Sequence, residues 1–391
     1  MRDSDRDFEI WARIVEPGDE AAGYLVESLG PTDAIRLVRD GSAARILAEL
    51  NRAGATEAGI ARFNRLDQTL EESLARWIPR LGAAERLAGL RQSNGYAYEV
   101  LTRRDAEWPS QLNDLGWAEP FAIWYRGAIS VLAETRNWVA LVGARASSPY
   151  GAQVVAELTR GLADSRIGVV SGGAYGIDSL AHSEALMHQV STIAVMAGGV
   201  DRPYPLGNRP LLERVAELGI LLSEMPPGTA PTKWRFLQRN RLIAAIADCT
   251  IVVEAGWRSG SINTANHAEQ LSRPVGAVPG SVLEMSSAGC NRLIARQQAQ
   301  LVSDSADILE MIGARAGAPF DVGHSDFVDQ SRGPLETRAL DALAATSRSL
   351  ERVARDAGLT VHETELALAN LQLEGSAEES NGLWRRLVSS L

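Results

Sequence analysis

Between residues 137 and 312 the chain alternates short, nearly all-apolar runs with amphipathic helical stretches, and this alternation restricts its fold more than any other feature. The runs are "WVALVGAR", "IGVVSGG", "STIAVMAGG", "GILLSEMPP", "CTIVVEAG", "PVGAVPGS" and "AQLVSD". Runs without polar alternation suit strands buried on both faces, and the helices between them supply right-handed crossovers. The pattern predicts an α/β fold built on a doubly wound, mostly parallel sheet. Such a sheet gathers its ligand-binding loops at the carboxyl ends of its strands.

The flanks read differently. "FEIWARIVEP", "EAAGYLVESLG", "PTDAIRLVRDG" and "TLEESLARWIPRLGAAERLAGL" carry apolar residues at helical spacing, which predicts a helical domain over residues 1–96. A mixed stretch with Trp-Pro and Glu-Pro turns then opens the sheet domain, residues 97–313. Residues 314–333 have few apolar side chains and no period, as in a linker. A second helical module, 334–391, ends in "LQLEGSAEESNGLWRRLV", which reads as a helix followed by a β-hairpin wing. Cys249 and Cys290 stand without a CxxC motif or nearby histidines, so neither a disulfide framework nor a metal site is expected. The start "MRDSDRDFEI" is charged, and no apolar run approaches the roughly 18 residues of a membrane span, so a cytoplasmic protein with no membrane association is expected.

Three strand-to-helix loops have anion-receptive composition. In "VGARASSPYG", Gly143 permits a tight turn, Arg145 offers a planar donor, and Ser148 before Pro149 reads as a helix cap whose N–H groups face an anion. In "VSGGAYGIDSLAH", Gly172, Gly173 and Gly176 either let a ligand approach the backbone or only serve a tight turn. In "EAGWRSGSINTANHAEQ", Ser259, Gly260, Ser261 and Thr264 form another polar helix start. Several such starts on one edge suit a row of phosphates. A nicotinamide cofactor is disfavoured, because G-x-G-x-x-G is missing after "WVALV".

The stretch "TKWRFLQRNR" gathers Lys233, Arg235, Arg239 and Arg241 in a chain of formal charge −10 and pI ≈ 5.2. Lys233 is the only lysine. Arg235 and Arg239, four residues apart, would suit a solvated helix face, but Trp234 and Phe236 are interleaved with the cations. Cations follow a sugar-phosphate backbone, while an aromatic face stacks a base at about 1–3 kcal/mol. Glu224 and Glu254 end strands, where an acid can orient an arginine such as Arg241. His182 and His267 lie inside helices without a partner nucleophile and read as packing residues.

Taken in order, "ALVGARASSPYG", "VVSGGAYGIDSLAH", "TIAVMAGGVDRPYPLGN", "ILLSEMPPG", "FLQRNRLIAAIAD", "VVEAGWRSGSINTANHAEQLSRPVGAVPG" and "AGCNRLIARQQAQLVSD" resemble the DNA-processing protein A family (DprA, also called Smf) over roughly residues 100–310. The resemblance implies an extended Rossmann-like domain that binds single-stranded DNA without a nucleotide cofactor. It further implies protection of that strand, loading of the RecA recombinase in natural transformation, and a homodimer. Carried over by position, Arg145 and Lys233 would hold phosphates and Phe236 would meet a base. Gly172, Gly173, Ser259, Gly260 and Ser261 would line the backbone path with Gly143 and Ser148. Arg239, Asn240 and Arg241 match the family pattern and would either touch DNA or brace the loop.

The chain departs from the family at Leu206, where a base is usual, and at Trp108, where tyrosine is usual. By position, the N-terminal helices resemble a SAM-like module and the C-terminal residues a winged helix. "VHETELALANLQLE" carries no Lys or Arg, however, and includes Glu363, Glu365 and Glu374, so it suits a protein contact better than a DNA groove. Two rivals stand beside this reading. A nucleotide phosphoribohydrolase of the lysine-decarboxylase-like family would need P-G-G-x-G-T-x-x-E where "RSGSINTANHAEQ" stands. A winged-helix transcription regulator would need duplex binding by the C-terminal module.

Overall fold

The computed structural model describes residues 3–54, 70–257, 259–313, 334–344 and 346–387. Each apolar run identified above is a strand: β3 (Asn137–Gly143), β4 (Ile167–Ser171), β5 (Thr192–Val195), β6 (Ile220–Ser223), β7 (Cys249–Glu254), β8 (Val275–Ala277) and β9 (Gln300–Leu301). Beyond a short hairpin, Gln92–Ser93 with Tyr96–Ala97, two strands of the same sheet that the run pattern does not reveal precede them, β1 (Glu99–Thr102) and β2 (Ala122–Gly127). Together they form a nine-stranded sheet in the order β9-β8-β7-β3-β4-β5-β6-β2-β1. From β9 to β6 every pairing is parallel, whereas β2 joins β6 and β1 joins β2 antiparallel.

Alternation along β3 shows why the run is continuously apolar. Trp138, Ala140 and Val142 enter one core with the buried helix residues Leu242–Ala247, while Val139 and Leu141 enter another with Val155, Leu158 and Ile177. Helices cover both faces, so neither set of side chains meets water. The chain builds β3 to β6 outward in one direction, then returns to place β7 on the other side of β3. That reversal puts a crevice between the carboxyl ends of β3 and β7.

The N-terminal helices are not a separate body. The chain divides into two compact units, Met1–Pro319 and Phe320–Leu391, so the expected helical module of residues 1–96 shares a unit with the sheet. The cause is a common core: Trp11 packs edge-on against Trp77 at 5.5 Å and against Phe121 at 5.6 Å, in one cluster with Trp124, Ala194 and Met196 of the sheet side. The expected linker, 314–333, lies outside the described residues.

The second unit holds helices Pro334–Ala342, Leu350–Ala357 and Val361–Leu373, with a three-stranded antiparallel sheet of Arg348–Ser349, Leu383–Arg386 and Ala377–Ser380. Its Val361–Leu373 helix begins with a reciprocal cap, Thr360 accepting from the Glu363 N–H while the Glu363 carboxylate accepts from the Thr360 N–H. One of the acids in this helix is therefore a structural cap.

Candidate nucleic-acid interface

At the crevice lies an open pocket of about 870 Å³, lined on one side by Gly143 at the end of β3 and Arg145 beyond it, and on the other by Ser259, Gly260 and Ser261 after β7. The Lys233–Ile246 helix closes it, contributing Lys233, Phe236, Arg239 and Asn240. This helix has two halves. From Arg239 to Ile246 every residue is buried and anchors the helix against the sheet. Ahead of that, Lys233, Trp234 and Leu237 are exposed, and Trp234 keeps 56% of its surface in water.

The start of this helix is electrostatically unusual. Thr232 caps it, accepting from the Arg235 N–H at 3.3 Å, but its first turn holds no acid and carries Lys233 and Arg235. Cations at a helix N-terminus oppose the positive end of the dipole. Arg235 is compensated by Glu16, at 3.0 and 3.1 Å, and so ties the helix to the N-terminal segment. Lys233 and Arg145 have no carboxylate partner among the described residues. Both are exposed. The Arg145 guanidinium lies 5.4 Å and the Arg239 guanidinium 5.9 Å from the centroid of the half-buried Phe236 ring, which also packs against Tyr204, centroid to centroid 5.7 Å.

Other predicted site residues are engaged by the protein itself. Ser148 caps the Pro149–Leu162 helix, accepting from the Gly151 N–H at 3.1 Å, but its hydroxyl and its N–H both donate to the Glu254 carboxylate. The anion at this helix start is thus intramolecular. The second loop is filled the same way, since Asp178 accepts from the N–H groups of Gly172 at 3.1 Å and Ala174 at 3.4 Å. Gly172 is needed because a Cβ there would lie 2.4 Å from the Arg239 guanidinium, and Gly176 because its φ is +75° and a Cβ would meet the Ala144 carbonyl at 2.2 Å. Gly172 and Gly173 are not among the residues lining the pocket, whereas Ala174 and Asp178 of the same loop are, and the expectation of a ligand path along the two glycines rests on the resemblance alone. The third helix start differs. Ser259 and Ser261 hold each other by hydroxyl contact at 2.7 Å, and Gly260 faces open space.

The arginines divide as well. Arg239 is buried and donates to the Gly172 carbonyl at 2.7 Å and to the Val195 carbonyl, so it braces two loops while its flank reaches the pocket. Burial, and secondarily Arg145, push it down to about 10, against the pull of Asp178. It stays charged near neutral pH. Arg241 lies out of the pocket and holds Glu224 through one nitrogen at 2.5 and 2.6 Å, as the strand-end acid suggested. Glu254, the other strand-end acid, serves Ser148 instead. Asn240 donates to the Gly260 carbonyl at 3.3 Å and to Asn263 at 3.1 Å, which fixes the third loop.

Sequence reasoning passed over Tyr204, which lines the pocket beside Phe236. Its place in the loop after β5 was the available signal. Cys249 and Cys290 are buried, free and held above the usual thiol range mainly by burial. Among the described residues no cluster of His, Cys, Asp or Glu could hold a metal ion, and no helix is long and apolar enough to cross a membrane.

His182 is fully buried behind this edge. Thr192 gives its hydroxyl proton to the Val169 carbonyl, so His182 Nδ1 is the donor to Thr192 Oγ1 at 2.8 Å, and Nε2 has no partner among the described residues. Burial and the nearby Arg239 push its pKa from 6.5 down to about 3. The unfolded chain takes a proton that the folded one refuses. Stability is therefore complete above the unfolded value and is lost as pH falls toward the folded one, by about 1.4 kcal/mol per pH unit. We expect the urea midpoint to drop between pH 6.5 and about 5, with about 2 kcal/mol from this group. His182→Gln should flatten that dependence; an unchanged slope would place the acid sensitivity elsewhere.

Comparison with known proteins agrees with this geometry. A family model described as DNA recombination-mediator protein A matches residues 99–313, from β1 through the last helix of the sheet domain. The putative DNA processing protein DprA of Mycobacterium tuberculosis is 37% identical over 403 aligned positions, covering 98% of this chain and 94% of that protein. The X-ray structure of DprA from Streptococcus pneumoniae superposes with a TM-score of 0.56 at 30% identity, covering 74% of this chain and 97% of that one. DNA processing protein A from Helicobacter pylori, studied structurally for its single-stranded DNA binding mode, matches with a TM-score of 0.50 at 30% identity over 56% of this chain and 98% of that one. With the doubly wound sheet, the switch-point pocket and these relatives in agreement, the chain belongs to the DNA recombination-mediator protein A family, that of the DprA and Smf DNA-processing proteins.

Proposed function

We propose that the pocket holds the sugar-phosphate backbone of single-stranded DNA with little regard to sequence, and that the protein acts as a mediator handing that strand to the RecA recombinase. The observation that carries this reading is the pairing of two cations lacking carboxylate partners, Arg145 and Lys233, with a half-buried aromatic, Phe236, at the switch point. Phosphates compensate the cations, and the helix start at Lys233 gains the negative charge it lacks. The aromatic favours a single strand, because only an unpaired base can leave its stack to lie on Phe236 or Tyr204. Ser259, Gly260 and Ser261 take the backbone on the opposite wall, while Arg239, Asn240 and Arg241 act chiefly as braces.

Binding rather than catalysis suits these residues. His182 is fully buried and its one hydroxyl partner, Thr192, is committed to the Val169 carbonyl, and the glycine-pair loop of a phosphoribohydrolase is missing from "RSGSINTANHAEQ". The hand-over to RecA, a homodimer and a cytoplasmic setting belong to the same proposal and rest on the family resemblance, the matched family model being described as a recombination mediator. The element order of the C-terminal unit supports a winged-helix reading, and its Val361–Leu373 helix, which carries no Lys or Arg, suits a protein contact.

The single lysine allows a direct test. Acylation with an N-hydroxysuccinimide ester alters Lys233 and the α-amino group and no other amine of the chain. The acylated protein should lose affinity for oligo-dT, prior binding of oligo-dT should protect Lys233, and the log-log salt slope should be about −0.7 per phosphate held. Equal affinity for duplex of the same length, or undiminished binding after acylation, would sink the proposal.

A further inference from the structure

Across the switch point from Lys233, Trp257 follows Gly256 and precedes Ser259, both of which line the pocket, yet the indole keeps 54% of its surface in water. A large ring left half in water beside a polar pocket needs an explanation in recognition or packing. Packing does not supply it. Among the described residues, the Arg292 guanidinium lies 5.4 Å from the ring centroid. Arg292 is half-buried and has no carboxylate partner among the described residues.

Both residues stand on fixed supports. Arg292 belongs to the Ala288–Ala295 helix, whose first turn is clamped to the loop after β7 by the Gly289 N–H donating to the Ala255 carbonyl at 2.7 Å. The same helix is tied to the loop after β8 by Asn291, which donates to the Gly280 carbonyl at 2.9 Å and accepts from the Gly280 N–H at 3.2 Å. A guanidinium over one indole face leaves the other face for a planar partner, and the cation is free for a phosphate.

We infer that Trp257 and Arg292 form a second base-and-phosphate station for single-stranded nucleic acid, on the β7–β8 side of the crevice. β7 and β5 are three strand positions apart in the sheet, about 14 Å at the usual strand spacing. The Phe236–Tyr204 pair and Trp257 would then grip different nucleotides of one strand that crosses the sheet edge. This inference rests on the single-stranded DNA reading above and extends its path.

The experiment compares wild type, Trp257→Ala, Trp257→Phe, Arg292→Gln and Lys233→Glu on an oligo-dT series from about 4 to 16 nucleotides, the range of single-strand site sizes. In wild type the affinity should rise steeply once the oligomer spans both stations. Trp257→Ala should reduce the ratio of long-oligomer to short-oligomer affinity about 10-fold, as expected for losing one stacked base. Trp257→Phe should restore most of that ratio, and Arg292→Gln should make the salt slope on long oligomers shallower by about 0.7. If Trp257→Ala keeps the wild-type ratio while Lys233→Glu is impaired, the second station is wrong and the primary pocket stands. If Lys233→Glu also binds every length normally, both readings fall together.

Discussion

Lys233→Glu is expected to lower the affinity for oligo-dT by about 100-fold or more at moderate salt. A charge-assisted hydrogen bond contributes about 1.5–3 kcal/mol, and reversal adds repulsion between the new carboxylate and the phosphate it faces. The substitution should leave the fold intact. Lys233 is exposed, forms no ion pair among the described residues, and occupies a helix start where an acid is favoured by the dipole. The folded protein should therefore be as stable as wild type, or slightly more so, while its binding collapses. Arg145→Ala should act in the same direction with a smaller effect, and Phe236→Ala should remove about 1–3 kcal/mol of stacking. Equilibrium binding paired with a denaturation curve checks both halves; weak binding accompanied by lost stability would assign Lys233 a structural role.

The largest effect on stability is expected at Arg241. It is buried against Glu224, and removing it leaves a carboxylate that burial already pushes up in pKa without the cation that holds it down. Breaking a buried pair in this way costs about 3–5 kcal/mol. We expect Arg241→Leu to be destabilised by that amount near neutral pH and to recover in part on acidification. The sign follows from the raised carboxyl: stability is present while the group is protonated and is lost as pH rises through its folded pKa. Replacing Glu224 by leucine as well should restore most of the loss, since no buried charge is then left unpaired. Chemical denaturation of the single and double variants decides this, and an equally unstable double variant would mean that packing around Arg241, not its charge, matters.

Much of the sheet could be read from the chain because burial on both faces leaves an unbroken apolar run. β1 and β2 escaped because "YEVLT" and "FAIWYRG" mix polar residues into short segments, and their place is set by the antiparallel pairing of β2 with β6, whose residues come about a hundred positions later in the chain, and of β1 with β2. The site divides along the same line. Local patterns located Lys233, Phe236, Arg145 and the Ser259–Ser261 helix start. What each residue was free to do depended on partners far away in sequence: Glu16 for Arg235, 219 residues distant, Glu254 for Ser148, 106 distant, and Gly172 for Arg239, 67 distant. A glycine marks a close approach, but the pattern alone does not say whether a ligand or an arginine does the approaching.

Glu254 and Asp178 give the sheet edge a property beyond bracing. The amides that a dinucleotide's pyrophosphate would need already bind carboxylates belonging to the chain, so an incoming compact diphosphate meets fixed negative charge rather than open donors. On the proposed single-strand reading, these two helix starts are thereby closed to free nucleotides. On that same reading, a polyanion long enough to engage the outlying cations Arg145 and Lys233 together gains most from them, so strand length becomes the selecting variable at the proposed site.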